Sequence, residues 1–179
     1  MLRNILNHNH LTDALNEALT RCRHRLIIAT ANVKNLHVPT VGPSAAGRGA
    51  RSILEVFEEL SGRNVEIRLL HSAVPSQPFL DQLKAHVPRT LTMRRCPRVH
   101  AKALIADGRW MYLGSANLTG AGLGAKSPRR RNFEAGICTD DLILIDKVAD
   151  MLDNIWNGAE CLACGRKDHC PVPLEQPQL

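Results

Sequence analysis

The sequence predicts an α/β fold: a mixed, mainly parallel β-sheet flanked by helices on both faces, with a small Cys-rich tail at the C-terminus. Three observations carry this prediction. Short apolar runs of strand length alternate with segments of helical periodicity, the pattern of right-handed βαβ units. A hairpin signal, Asp107-Gly108, interrupts that alternation in the second half of the chain. Three cysteines, Cys161, Cys164 and Cys170, then follow the last amphipathic segment.

Each element has its own local reason. From about His10 to Cys22, Leu11, Ala14, Leu15, Ala18, Leu19 and Cys22 recur at helical spacing, so an amphipathic helix is expected. Leu26 to Thr30 is a short apolar run of the buried-strand type. A connection rich in Gly, Pro, Ser and Ala fills 32–50, longer than most loops in a compact domain, and reads equally as a substrate loop or a tolerated insertion. A helix from about Arg51 to Leu60 is opened by the capping box Ser52-x-x-Glu55 and closed by Gly62. Asn64 to His71 is a strand, Gln77 to His86 a helix and Thr90 to Cys96 a strand. The hairpin supplies two more strands, the second being Arg109 to Leu113. A last helix, about Asp140 to Asn157, places Leu142, Ile145, Val148, Ala149, Leu152, Ile155 and Trp156 on a broad apolar face.

Length and composition bound the possibilities. The 179 residues suit one packed domain, here 1–158, followed by a tail at 159–179. No apolar run approaches the roughly 20 residues a membrane-spanning helix needs, and the first residues are too polar for a secretory signal, so a cytoplasmic protein is expected. A net charge of +6 favours polyanionic partners. Three Phe, two Trp and one Tyr are too few for base-stacking platforms, so a nucleic acid would be gripped by its phosphates.

The chemistry concentrates in His100-Ala101-Lys102-Ala103-Leu104-Ile105-Ala106-Asp107, followed by Gly114-Ser115-Ala116-Asn117. Side chains alternate along a strand, so His100 and Lys102 share a face. The return strand brings Ser115 and Asn117 back to the same end. An imidazole, an ammonium, a hydroxyl and a carboxamide then meet, which is what breaking a phosphodiester requires: a nucleophile, charge neutralisation and a proton for the leaving oxygen. Asp107 sits at the hairpin turn, where hydrogen bonding within the turn is its expected task. Phe133, Met111 and Tyr112 lie near the motif, but such residues in strands belong to cores.

The HxKxxxxD element and, after six intervening residues, the GSxN element resemble the signature of the phospholipase D superfamily, over about Leu26 to Trp156. The resemblance implies a phospholipase D-like phosphodiesterase domain in which His100 attacks phosphorus and forms a phosphohistidine, with no cofactor required. It implies that Lys102, Ser115 and Asn117 hold non-bridging oxygens, and that Glu134, in Arg131-Asn132-Phe133-Glu134, orients the imidazole. The family centre uses two HxK motifs and this chain carries one, so a homodimer is implied.

Two basic clusters flank the motif: Arg94, Arg95 and Arg98 before it, and Lys126, Arg129, Arg130 and Arg131 before Glu134. They read as a track for a nucleic-acid backbone or as solvated loops. The favoured activity is therefore that of a nuclease, an endonuclease included. A lipid phosphodiesterase or phosphatidyltransferase and a non-catalytic nucleic-acid-binding module are the alternatives, and a separate protein partner for targeting is compatible with either. In the tail, Cys161, Cys164 and Cys170 have metal-ligand spacing for a structural zinc or iron-sulfur site. Cys96, Cys138, Cys22 or His169 is the candidate fourth ligand, and reduced thiols without metal are the plain alternative.

Overall fold

A computed structural model of the chain describes residues 1–39 and 49–177. Its strands are β1 (Leu2–Leu6), β2 (Arg25–Thr30), β3 (His37–Val38), β4 (Arg51–Ser52), β5 (Glu66–His71), β6 (Leu91–Arg95), β7 (Lys102–Ala106), β8 (Trp110–Gly114) and β9 (Ala135–Thr139). Its helices are α1 (Asn16–Arg21), α2 (Ile53–Gly62), α3 (Gln77–Ala85) and α4 (Leu142–Trp156). Seven strands form one mixed sheet in the order β1-β9-β8-β7-β2-β5-β6. β2, β5 and β6 are parallel neighbours, whereas β7, β8, β9 and β1 join by antiparallel ladders. Only β7 and β9 thus run against the direction shared by the other five. The parallel ladders expected of βαβ units are confined to the half of the sheet that α2 and α3 connect.

Both faces of the sheet are covered, which is why β2 and β7 read as unbroken apolar runs. On one face Leu26, Ile28, Leu104, Ala106, Trp110 and Tyr112 pack with α1, α2 and α3 through Ala18, Leu19, Phe57, Leu60 and Phe79. On the other, Ile27, Ala29, Ala103, Ile105 and Met111 pack under Ile145, Leu152 and Trp156 of α4. The capping box forms in full, Ser52 accepting from the Glu55 amide and Glu55 from the Ser52 amide. Asp141 caps α4 by accepting from the Ile143 and Leu144 amides.

Several expectations need correction. The segment from His10 is a π-helical turn, His10–Leu15, running into α1, and His10 itself is buried with its ring edge-on to Tyr112. Asn64, not Gly62, takes the left-handed conformation after α2, with φ of 60°. β1 is an edge strand that no pattern announced, since only its Ile5 is buried. Leu142 does not join the packed face of α4: with Ile143, Leu144 and Met151 it is exposed. Within the 32–50 connection lies β3, which pairs with β4 just beyond it; 40–48 lie outside the described residues. Among the described residues no helix is long and apolar enough to cross a membrane.

Candidate active site

The strand ends decide where the motif residues meet. β2, β5, β6 and β8 finish at the same edge of the sheet at which β7 and β9 begin, as their pairings require. In an open α/β sheet this carboxyl edge is where ligands bind. His100 and Lys102 lead into β7, Ser115 and Asn117 leave β8, and Glu134 immediately precedes β9.

His100 is exposed, while Lys102 is buried. The Lys102 ammonium donates to His100 Nε2 at 3.0 Å and to its carbonyl oxygen at 2.8 Å. Burial lowers the lysine's pKa, and the nearby negative charge of Glu134 opposes that fall.

Glu134 is buried as well, and both of its oxygens have partners: Oε2 accepts from the Ser115 hydroxyl and Oε1 from Asn132 Nδ2 at 2.9 Å. The expected bond from Glu134 to the imidazole is absent from the hydrogen bonds of the described residues. Those two donors take its oxygens, and its charge acts on Lys102. The Ser115 oxygen in turn accepts from the Ala135 amide at 3.1 Å. Asn7, at φ 51°, accepts at Oδ1 from the Glu134 amide at 3.3 Å, and its own amide donates to the Glu134 carbonyl at 2.8 Å.

Asn117 is anchored from the end of β2. Its Oδ1 accepts from the Ala31 and Asn32 amides, both at 3.1 Å, and from the Thr30 hydroxyl at 3.3 Å. With the carbonyl oxygen held by three donors, the amide nitrogen is the end left to donate to an anion.

Asp107 does not bond within its turn. The turn is closed by the backbone, Arg109 N–H to Ala106 C=O, with Asp107 and Gly108 at φ 55° and 65°. Its carboxylate instead accepts from the backbone amides of Arg23, His24 and Arg25, each at 2.8 Å, joining the hairpin to the α1–β2 connection. Burial opposes its ionisation, but the amides of Arg25, Arg23 and His24 outweigh that cost and hold its pKa below the usual carboxylate range.

Tyr112 and Met111 are core residues, as expected. The Tyr112 ring lies across Gly114 and Gly136: a Cβ on Gly114 would sit 2.7 Å from the Ala135 carbonyl oxygen and collide with the phenol oxygen, and one on Gly136 would collide with the ring. Phe133 contradicts the core expectation. It is 96% exposed beside Glu134, because the chain there is still a loop and β9 begins only at Ala135.

The basic residues divide. Lys126, Arg129 and Arg130 are exposed around a short 3-10 turn, Pro128–Arg130, while Arg131 donates to the Lys126 carbonyl oxygen. Arg94 stacks 4.8 Å over the Trp156 ring and bonds its carbonyl oxygen. Arg95 pairs with Glu175 at 3.2 Å and donates to the Ser72 carbonyl. Arg94 and Arg95 therefore spend their guanidinium groups inside the molecule, and Arg98 reaches Cys164 Sγ at 3.8 Å.

Of the six cysteines, Cys22 and Cys138 are buried in the core, against Asp107 and the Asp13 carbonyl respectively. Burial pushes the Cys22 thiol up to about 12 and Cys138 to about 11. Neither lines the cavity that holds the tail thiols, whereas Cys96 does, together with Cys161, Cys164 and Cys170. His169 is exposed and does not line it. Among the described residues no three His, Cys, Asp or Glu side chains already stand where they would hold a metal ion.

Asn7 and Thr30 are site residues the sequence reading passed over, and it quoted Asn132 without giving it a role. Asn132 had a signal, its place two residues before Glu134; Asn7 and Thr30 are brought in only by the fold.

Comparison with known proteins follows the same lines. NucT from Helicobacter pylori superposes with a TM-score of 0.62 at 15% identity, over 88% of this chain and 96% of that one. Nuc from Salmonella typhimurium, a phospholipase D family member, superposes at 0.60 with 12% identity, over 88% and 95%. TrmBL2, an archaeal chromatin protein described as showing a novel mode of DNA binding, superposes at 0.55 with 13% identity, over 87% of this chain and 52% of its own. No curated protein matches. At these identities the structures speak for the fold, but the family model described as cardiolipin synthase, PLD-like domain, matches residues 15–156, and the chain therefore belongs to the phospholipase D-like family.

Proposed function

We propose that the protein is a nuclease that hydrolyses nucleic-acid phosphodiester bonds through a phosphohistidine at His100, in a homodimer with one HxK motif from each copy. The observation that carries this reading is the His100–Lys102 pair beside the Ser115–Glu134–Asn132 network, at the carboxyl edge of the sheet. The ammonium that donates to Nε2 has a stronger partner in an anion, so an arriving phosphate draws Lys102 onto a non-bridging oxygen and frees the Nε2 lone pair. The N–P bond then forms as the P–O bond to the leaving oxygen breaks, and that oxygen takes a proton from the second copy's His100. Water then attacks phosphorus, giving its proton back to the second copy's His100 as the N–P bond breaks and the first imidazole is released. Ser115 and the Asn117 amide supply further donors to the phosphoryl oxygens.

Exposed Lys126, Arg129 and Arg130 between Asn117 and Glu134 support a polyanionic substrate. Exposed Phe133, with Leu6 paired opposite Ala135, supports a second copy covering the rim of the site. The family description favours a lipid substrate as the second reading. The test incubates wild type and His100→Ala with labelled plasmid, single-stranded DNA, RNA and phospholipid vesicles in EDTA, with sedimentation in parallel. Cleavage of nucleic acid by a wild-type dimer, lost in His100→Ala, is expected. Cleavage of lipid alone, full activity of a monomer or an unaffected His100→Ala would each overturn the reading.

A further inference from the structure

We propose that Cys96, Cys161, Cys164 and Cys170 form a structural zinc site that fastens the C-terminal tail to the connection bearing His100. The four sulfurs come from two places far apart in sequence, yet all line one small cavity of about 40 Å³. Four thiols around one cavity make the all-cysteine, four-ligand set of a structural zinc ion. The sequence Cys161-Leu162-Ala163-Cys164-Gly165-Arg166 folds as a tight turn, with the Cys164 amide donating to the Cys161 carbonyl at 3.2 Å. The Arg98 guanidinium donates to Cys164 Sγ at 3.8 Å.

The surroundings match the ion's charge. Four thiolates around one Zn²⁺ carry a net charge of −2, and Arg98, Arg166 and Lys167 line the same cavity. Each thiol that binds releases its proton, so loading is favoured as pH rises. The sulfurs do not yet meet at the Zn–S distance of about 2.3 Å, and binding would draw the tail in by small movements of exposed chain. Cys170 is next to Pro171 in a segment that already returns to the sheet, where Glu175 bridges Arg95 of β6.

The position of Cys96 gives the site a consequence. Cys96 follows β6, its amide is held by the His71 carbonyl at 2.8 Å, and Val99 donates back to its carbonyl at 2.9 Å. His100 is the next residue. A metal at Cys96 therefore steadies the backbone that presents the imidazole, without itself touching substrate.

The test measures metal content in full-length protein prepared anaerobically. One zinc per chain is expected, and cobalt(II) replacing it should show the intense thiolate charge-transfer and d–d bands of a tetrahedral all-sulfur site. Cys96→Ser should bind zinc at least about 100-fold more weakly, whereas His169→Ala should leave stoichiometry and cobalt spectrum unchanged. Absence of zinc, iron with acid-labile sulfide, a disulfide among the four thiols in protein alkylated on lysis, or wild-type affinity in Cys96→Ser would each overturn the proposal. These readouts do not depend on catalysis, so the zinc site and the nuclease reading stand or fall separately.

Discussion

Replacing Asp107 separates a residue that builds the hairpin from one that would act in chemistry. Its carboxylate accepts three backbone amides at 2.8 Å from the α1–β2 connection, and the residue itself sits at φ 55°. Hydrogen bonds to a charged group contribute about 1.5–3 kcal/mol each, but these amides are close enough to water to be rehydrated, so about 1 kcal/mol apiece is the appropriate share. Alanine adds about 1 kcal/mol for the left-handed backbone. Asp107→Ala should thus cost about 4 kcal/mol, or roughly 8–16 °C in Tm for a chain of this size. Asp107→Asn, which tolerates the conformation and keeps one acceptor, should cost about half as much.

The pH dependence follows from the sign of the shift. The folded pKa of Asp107 lies below its unfolded value of about 3.9, so its stabilisation is complete above that value and is lost as pH falls through the folded pKa. The gap between wild type and Asp107→Ala should therefore be constant near neutrality and narrow below about pH 4. Urea unfolding followed by far-UV circular dichroism at several pH values measures it. A loss under 0.5 kcal/mol, or a gap that persists unchanged into acid, would refute the reasoning.

Gly136→Ala should cost about 1–3 kcal/mol, seen in the same unfolding assay, because its methyl group meets the Tyr112 ring inside a filled core. Lys102→Met should lower phosphodiesterase turnover at least about 100-fold while leaving the fold at least as stable at pH 7. Burial lowers the Lys102 pKa, so the cost of its charge is present below the folded pKa and is relieved as pH rises towards about 10; wild type should gain on Lys102→Met over that range in denaturation curves. Arg129→Ala combined with Arg130→Ala should flatten the salt dependence of duplex DNA binding by about 2 in log–log slope, measured by fluorescence anisotropy, with little effect on stability.

Most of the architecture and the motif itself were legible because they are local. Leu26 to Ala29 and Ala103 to Ala106 are apolar without a break, which marks strands covered on both faces, and Ser52-x-x-Glu55 announces its helix by a pattern that forms as read. β1 was illegible because an edge strand with one buried residue has no periodicity to show. Phe133 was misread for the opposite reason: an aromatic residue next to a strand suggests burial, and only the chain's path leaves it in water.

By itself the sequence determined that His100, Lys102, Ser115 and Asn117 would gather at one end of a hairpin, since strand alternation and the two-residue Asp107-Gly108 turn allow little else. Only the tertiary structure decided their partners. It gave both Glu134 oxygens to Ser115 and Asn132, turned Asp107 towards the amides of 23–25, committed Arg94 to Trp156 and Arg95 to Glu175, and brought Cys96 to the tail thiols while sinking Cys22 and Cys138 in the core. The physical reason is that a side chain's type states which bonds it must make, whereas the donors and acceptors within its reach come from distant segments, 127 residues apart for Asn7 and Glu134.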